Sequence, residues 1–477
     1  MRPFVGIGRS LTKDSVPALK NPQVMDSTLG GVSVTKALVR EVWDLVVPVI
    51  IQGMVVTVVF FTDRLLIGQY SDTALASMQI SGVLLWSLFS VFGAFTAGTM
   101  AVIGRAVGGR DEATARNTLN SVMLLATGIG LATMVLCLSL QDWFAHVLAA
   151  GEDTMEAQGL AVKYMGIVFL GMPLNLIQMT GVTALQADGD TATPMWISAI
   201  QGILNLGVSW VLLWGYGPFP EMGIEGAAIG TLASFALGAA AILFTLFTRS
   251  GTVKLVPFDG PSLSSLSPVV RLSIPAFGEK IAFHTAFVIF AAYVGHLGAL
   301  EMSANQALIA IESLGFMVAH GFSIAASALV AQKLGAQRPN EATAVGWISA
   351  GLGAAVLGVV GLLFWFFPAT FLGWFTDNPV LIEMGVPCLK LAAAIQPVMA
   401  ICDAMSGSLR GAGDTRTPML AAFIGPGVVR LFFCWYLAFE MDMGLFGIWV
   451  GTSLDWLVRL VFLTVMFSRG KWRRISV

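Results

Sequence analysis

The chain has 477 residues, of which 56% are hydrophobic and 11% charged, against about 25% charged in a soluble globular protein. Mean hydropathy is +0.81, and a net charge of -2 leaves no basic excess to attract phosphates. So few ionisable groups cannot cover a water-facing surface, which excludes a soluble enzyme, a nucleic-acid binder and a disordered chain and leaves a polytopic membrane protein.

Residues 1–42 are polar and mixed, with no apolar core followed by a cleavage site, and read as a cytosolic tail rather than a signal peptide. Twelve apolar stretches follow, at 44–69, 80–104, 118–140, 159–181, 194–215, 226–248, 273–295, 304–330, 345–367, 387–408, 418–438 and 445–467. Each is near the roughly 20 residues needed to cross about 30 Å of hydrocarbon as a helix. Helices satisfy their own backbone hydrogen bonds, so the expected fold is all-α. Residues 249–272, with Pro257, Gly260, Pro261 and several serines, read as a linker between a six-helix lobe at 43–248 and another at 273–467, with a basic end at 468–477. Cys137, Cys388, Cys402 and Cys434 all lie inside apolar runs, without zinc or disulfide spacing.

Lys and Arg set the orientation. With both ends in the cytosol, 20 of the 26 fall on inside segments: the first tail, the connections around Arg105–Arg116, Arg249–Arg271, Lys333–Arg338 and Arg410–Arg416, and the last residues. The outside loops hold none and carry acids such as Asp142, Glu152, Asp153, Glu221, Glu440 and Asp442. This is the positive-inside pattern, and an even number of spans then keeps both termini inside. The chain also repeats itself. Gly189-Asp190-Thr191-Ala192-Thr193-Pro194-Met195 returns as Gly413-Asp414-Thr415-Arg416-Thr417-Pro418-Met419, and Pro48, Gly68 and Lys163 match Pro275, Gly295 and Lys390 at an offset of 227. A duplicated unit of six spans enters the membrane the same way twice, so the repeats are parallel. Such repeats build transporters whose substrate site lies near the interface between the halves.

The motifs "LQADGDTATPM" and "LRGAGDTRTPM", the first-span "PVIIQGMVVTVVFFTDRLLIG" and "AASALVAQKLGAQ" resemble the multidrug and toxic compound extrusion (MATE) family over roughly residues 40–467. The short spacing from Pro275 to Glu279 leans toward its DinF-like branch. The resemblance implies two six-helix bundles in a V around a central cavity. It also implies a bacterial inner-membrane efflux antiporter that exchanges H+ or Na+ for organic, often cationic, small molecules, with no other cofactor. It is expected to work as a monomer among lipid. A flippase for a lipid-linked precursor, from the related superfamily, is the alternative; four acids inside spans speak against it.

Charges inside a membrane cost about 2.5–3.5 kcal/mol each on insertion scales, so each is a functional candidate. Asp63 matches the family's first-helix Asp and is read as the coupling carboxylate. Adjacent residues on a helix do not face each other, which weakens a pair with Arg64. Pro48 cannot donate a helical hydrogen bond and is the candidate hinge. Asn205 stands where the family has Asn followed four residues later by Asp; here that position is Ser209, which favours a single proton at Asp63. Asp403 and Glu279 are candidates for a second cation or proton site, although Glu279 sits about a turn short of the NorM-like position and has a neighbouring base as an alternative partner. Asn205, Ser209, Glu312 and Gln306 are expected to line the cavity. Asp455 and Arg459, four apart, are expected to neutralise each other, with Arg430 a possible third member.

Overall fold

The apolar stretches fold as helices, and most run several residues beyond the hydrophobic segment into polar flanks. The structure, a computed structural model, describes residues 28–29, 32–33, 36–148, 155–256 and 263–477. The first span is Lys36–Tyr70, continuous through Pro48. The second consists of Asp72–Gly93 and Thr96–Gly108, the third is Glu112–Leu148, and the fourth is Met155–Leu170 with Met172–Ala187. The fifth and sixth are Ala192–Trp214 and Ile224–Thr248. The second lobe follows as Leu263–Leu297, Ala299–Gly335, Pro339–Phe366, Pro379–Gly411, Arg416–Glu440 and Gly444–Ser468, the seventh to twelfth spans. The protein is thus all-α, twelve helical spans in two parallel six-helix repeats arranged as a V.

The interruptions have local causes. The fourth span bends by 51° at Gly171, just before Pro173, which has no N–H to continue the ladder. The eleventh span widens to a π-helix over Phe423–Arg430, around Pro426. Where the second span breaks at Ala94 and Phe95, the freed Phe95 carbonyl accepts the Ser273 hydroxyl of the seventh span at 3.0 Å. The duplicated Gly-Asp-Thr turns are caps. Asp190 and Asp414 each accept from a backbone N–H three residues on, at Thr193 (2.9 Å) and Thr417 (3.0 Å). The preceding Gly189 and Gly413 sit at φ of 91° and 86°, where a side chain would be strained.

Two boundaries differ from the sequence expectation. The first span starts at Lys36, inside the expected tail 1–42, because Leu38 and Val42 are buried in the main apolar core. Residues 1–27 of that tail lie outside the described residues; Thr28–Leu29 pairs with Val32–Ser33 as a two-residue hairpin. The seventh span starts at Leu263, inside the expected linker 249–272, of which 257–262 lie outside the described residues. Its first turns are helical, despite their serines and Pro268, because Val269 and Leu272 bury against Phe95 and Val102. The basic end is anchored: Lys471–Arg474 form a 3-10 turn, and Trp472 is buried with its ring 4.8 Å from that of Phe467.

At the end of the molecule that carries the C-terminus, the two lobes close on each other. Arg105, near the end of the second span, donates to Ala412 O (2.8 Å) and Ile475 O (2.7 Å) of the other lobe. Gln332, 227 residues later in the eighth span, donates back to Ala187 O at 2.7 Å. Between them the backbones touch. A Cβ on Gly108 would collide with the Gln332 carbonyl, and one on the equivalent Gly335 with the Arg105 carbonyl. Arg110 and Gln337, again equivalent, end these helices at φ of 57° and 60°. The contact is therefore pseudo-twofold: small residues let two helix ends approach, and one polar side chain from each crosses to a helix C-terminus in the other lobe, where free carbonyls need donors.

Candidate functional site

The first lobe buries its polar groups where the first, fourth, fifth and sixth spans meet. Asp63 is half-buried, its Oδ1 is fully enclosed without a hydrogen-bond partner, and it makes no ion pair among the described residues. The Arg64 guanidinium turns the other way and lies 4.1 Å from the centroid of the Phe60 ring. Tyr164 of the fourth span is buried, hydrogen-bonds the Thr231 side chain of the sixth, and is within electrostatic reach of Asp63. Asn205 Nδ2 donates to Thr231 Oγ1 at 3.4 Å, while its Oδ1 is buried and unpartnered. A chain of polar groups thus runs from Asp63 through Tyr164 and Thr231 to Asn205, with an unsatisfied oxygen at each end. Buried acceptors without donors are costly, so such oxygens mark a place where a proton or ion can be taken up.

Ser209 does not face a cavity. Its hydroxyl donates to Ala227 O at 3.5 Å and packs on Gly230, whose missing side chain lets the fifth and sixth spans approach. Nothing in the local sequence marks Tyr164 or Thr231, because an aromatic and a hydroxyl on apolar helices acquire a role only from the crossing.

The second lobe is more heavily charged. Asp455, fully buried, accepts from Arg430 Nη2 (2.7 Å) and Nε (3.0 Å) and from Arg459 Nε (2.8 Å); the Arg459 guanidinium lies 3.6 Å from the Trp456 ring. Glu312 of the eighth span is within electrostatic reach of both arginines. Glu279 is engaged by Arg410 at 2.8 Å, a residue otherwise classed with the loop charges. Asp403 makes no hydrogen bond or ion pair among the described residues; Arg410, Arg459 and Lys280 are within its reach. Gln306, expected in the cavity, is exposed, and the amide that points inward is its neighbour Asn305, which accepts from Trp449 Nε1 at 3.2 Å. The four cysteines are buried free thiols, and among the described residues no group of three His, Cys, Asp or Glu is placed to hold a metal.

Outside the spans, Arg249 bridges Asp188 and Asp190 at the end of the fourth span. Burial pushes the Asp188 carboxyl up to about 6, against the opposing pull of Arg249.

Two parallel helical repeats, closed on each other at one end and holding unpaired polar groups inside the spans, define a membrane transporter. The chain belongs to the MatE family, whose model matches residues 48–211 and 275–436. It is 28% identical over 443 residues to the probable multidrug resistance protein NorM of Thermotoga maritima, covering 92% of this chain and 94% of that one. It is 26% identical to the NorM protein of Rhizobium meliloti, over 87% of this chain and 90% of that one. Among solved structures, a MOP superfamily transporter from Pyrococcus furiosus superposes with a TM-score of 0.85 at 18% identity, covering 92% and 97% of the two chains. An outward-facing multidrug resistance MATE family transporter does so with 0.85 at 18%, covering 91% and 97%. These likenesses show a common fold and a family of transporters, not of enzymes.

Proposed function

We propose that the protein is a secondary antiporter of the bacterial inner membrane, with both termini cytoplasmic, which exports organic cations and amphiphiles in exchange for a proton. It works as a monomer and uses no cofactor beyond the coupling ion. With the Lys- and Arg-rich end inside, the clamp of Arg105 and Gln332 closes the cytoplasmic side. The lobes are then in the state that loads protons from outside.

The observation that carries this reading is the lone Asp63 carboxylate with its enclosed, partnerless oxygen. Exchange requires proton and substrate to favour different states or to compete for one group, because only differential affinity moves an equilibrium. A carboxylate without a fixed counter-charge can do this; Glu279 and Asp455 are held by arginines, and Asp403, though it touches none, lies within reach of Arg410, Arg459 and Lys280. With Ser209 tied to Ala227 O and uncharged, the first lobe supplies one titrating group, which favours H+ over Na+ and a single proton per cycle. Pro48 gives the first span a place to bend as Asp63 changes charge.

Ethidium-driven proton release from proteoliposomes, in sodium-free buffer, tests the scheme. Wild-type protein is expected to exchange, and Asp63→Asn to retain ethidium binding while losing exchange. Exchange at the wild-type rate in Asp63→Asn would overturn it.

A further inference from the structure

Residues 475–477 lie across the seam between the lobes. Trp472, buried on Phe467, fixes the chain just before them, and its indole N–H donates to Phe467 O at 2.8 Å. Beyond it the chain is extended at Ile475, with φ of -71° and ψ of 124°. Two guanidinium groups, one from each lobe, then take successive main-chain carbonyls. Arg105 of the second span donates to Ile475 O at 2.7 Å, and Arg271 of the seventh to Ser476 O at 3.4 Å. Val477 packs into an apolar cluster drawn from both lobes, with Phe95, Val102 and Val122 from the second and third spans and Val269 and Leu272 from the seventh. Under it lies the Gly-Asp-Thr turn of the second lobe, where a Cβ on Gly413 would collide with the Val477 side chain.

The first repeat, over its described residues, keeps its own end at home. The segment after the sixth span folds back on the first lobe: Val253 is buried, and the Asn120 amide exchanges two hydrogen bonds with the Val256 main chain, at 2.9 and 3.3 Å. The Gly-Asp-Thr turn of the first lobe faces the Gln332 amide instead, 3.5 Å from where a Cβ of Gly189 would stand. The crossing segment is therefore an addition to the symmetric clamp. Its seat has walls from both lobes, Arg105, Phe95 and Val102 from one and Arg271, Val269 and Gly413 from the other, so it is complete only while this end is closed. A ligand that binds one state alone pulls the equilibrium toward it. A segment on so short a tether from Trp472 does so at an effective concentration in the millimolar range.

We propose that residues 475–477 are a tethered ligand for this seat, which holds the clamped end shut and must leave before that end opens. Main-chain carbonyls carry no side-chain identity, so selectivity falls on the apolar residue at 477. The proposal names a regulation of the export cycle and rests on that reading for placing this end in the cytoplasm.

Pulsed electron resonance between spin labels at Glu112→Cys and Asn340→Cys, exposed positions in opposite lobes, tests it on the full-length protein. Deleting residues 475–477, with Trp472 kept, should raise the open-to-closed ratio about tenfold, the loss of one hydrogen bond from a charged donor. Val477→Asp should open the protein in the same way, and Val477→Ile should leave the wild-type distribution. A peptide of residues 473–477, added to the shortened protein at about 10 mM, above the effective concentration of a short tether, should restore the closed population. The same peptide carrying Val477→Asp should not. A shortened protein with the wild-type distribution, or one on which both peptides act alike or not at all, overturns the proposal. Ethidium exchange in the same preparations separates the two readings. Exchange with no effect of the deletion on the distances defeats the tethered ligand alone, and a deletion-dependent, peptide-reversed shift without exchange defeats the antiport reading alone.

Discussion

Removing the Arg105 side chain should shift the balance between the two states of the transporter. Arg105 makes two hydrogen bonds, at 2.7 and 2.8 Å, from a charged donor to carbonyls of the opposite lobe. Hydrogen bonds to charged groups contribute about 1.5–3 kcal/mol net, and for a half-buried side chain the lower value applies, giving about 2–3 kcal/mol for the pair. Arg105→Ala should therefore raise the ratio of open to closed molecules at this end by about 30- to 150-fold, enough to bring a 1:99 equilibrium near parity. Gln332→Ala, which removes one neutral bond, should shift it by about fivefold. Spin labels at Glu112→Cys and Asn340→Cys, both exposed at this end in opposite lobes, report the separation by pulsed electron resonance, and the native cysteines are buried. Wild-type protein should give one short distance, Arg105→Ala a second, longer population, and the double variant Arg105→Ala with Gln332→Ala mostly the longer one. An unchanged distance distribution in the double variant would refute the clamp.

Asp455→Asn leaves Arg430 and Arg459 buried with like charge and should cost about 3–5 kcal/mol, seen as a drop of several degrees in thermal unfolding of the detergent-solubilised protein. An unfolding temperature equal to wild type would refute the claim that Asp455 holds the two arginines. The Asp188 carboxyl is raised to about 6 from 3.8, so the native state holds its proton more firmly than the unfolded chain does. Stability should then fall as pH climbs from about 4 to 6, by at most about 3 kcal/mol, and Asp188→Asn should flatten that slope. A slope of opposite sign would mean that the Arg249 pair outweighs the burial.

The architecture was legible because its causes are local or compositional. Long apolar runs can only be helices, Lys and Arg mark one side, and the Gly-Asp-Thr motif carries its own cap, as Asp190 and Asp414 confirm. The pairing of Asp455 with Arg459 could be read from their spacing of four. What could not be read depends on crossings. Glu279 finds Arg410 across 131 residues, an ion pair between two spans that no local spacing shows. Gln306 and Asn305 differ by one position, about 100° of helical turn, and that phase decides which amide is inside. Ser209 shares a face with Asn205, as the spacing implied, but the glycine opposite it on the sixth span closes that face.

The two repeats preserve the groups that fold and clamp the molecule and differ in the acids that lie inside the spans. Arg105 and Gln332, Gly108 and Gly335, and the left-handed Arg110 and Gln337 coincide at the same offset of 227. At that offset Asp63 corresponds to Phe290, while Glu279 and Lys280 correspond to Gln52 and Gly53. A symmetric clamp opens both lobes about one axis, so the mechanical step needs duplication. The proposed coupling site needs none: no acid stands at the position of Asp63 in the second lobe, whose unpaired Asp403 lies instead within reach of Arg410, Arg459 and Lys280. The second lobe holds Glu279 and Asp455 in pairs with Arg410 and Arg430 that tie its helices together. In the proposed exchange the change of charge at Asp63 is taken up by the first span, whose outer half, with Met54, Val56, Val58 and Leu65 all exposed, is less buried than its inner turns around Val42 and Val46.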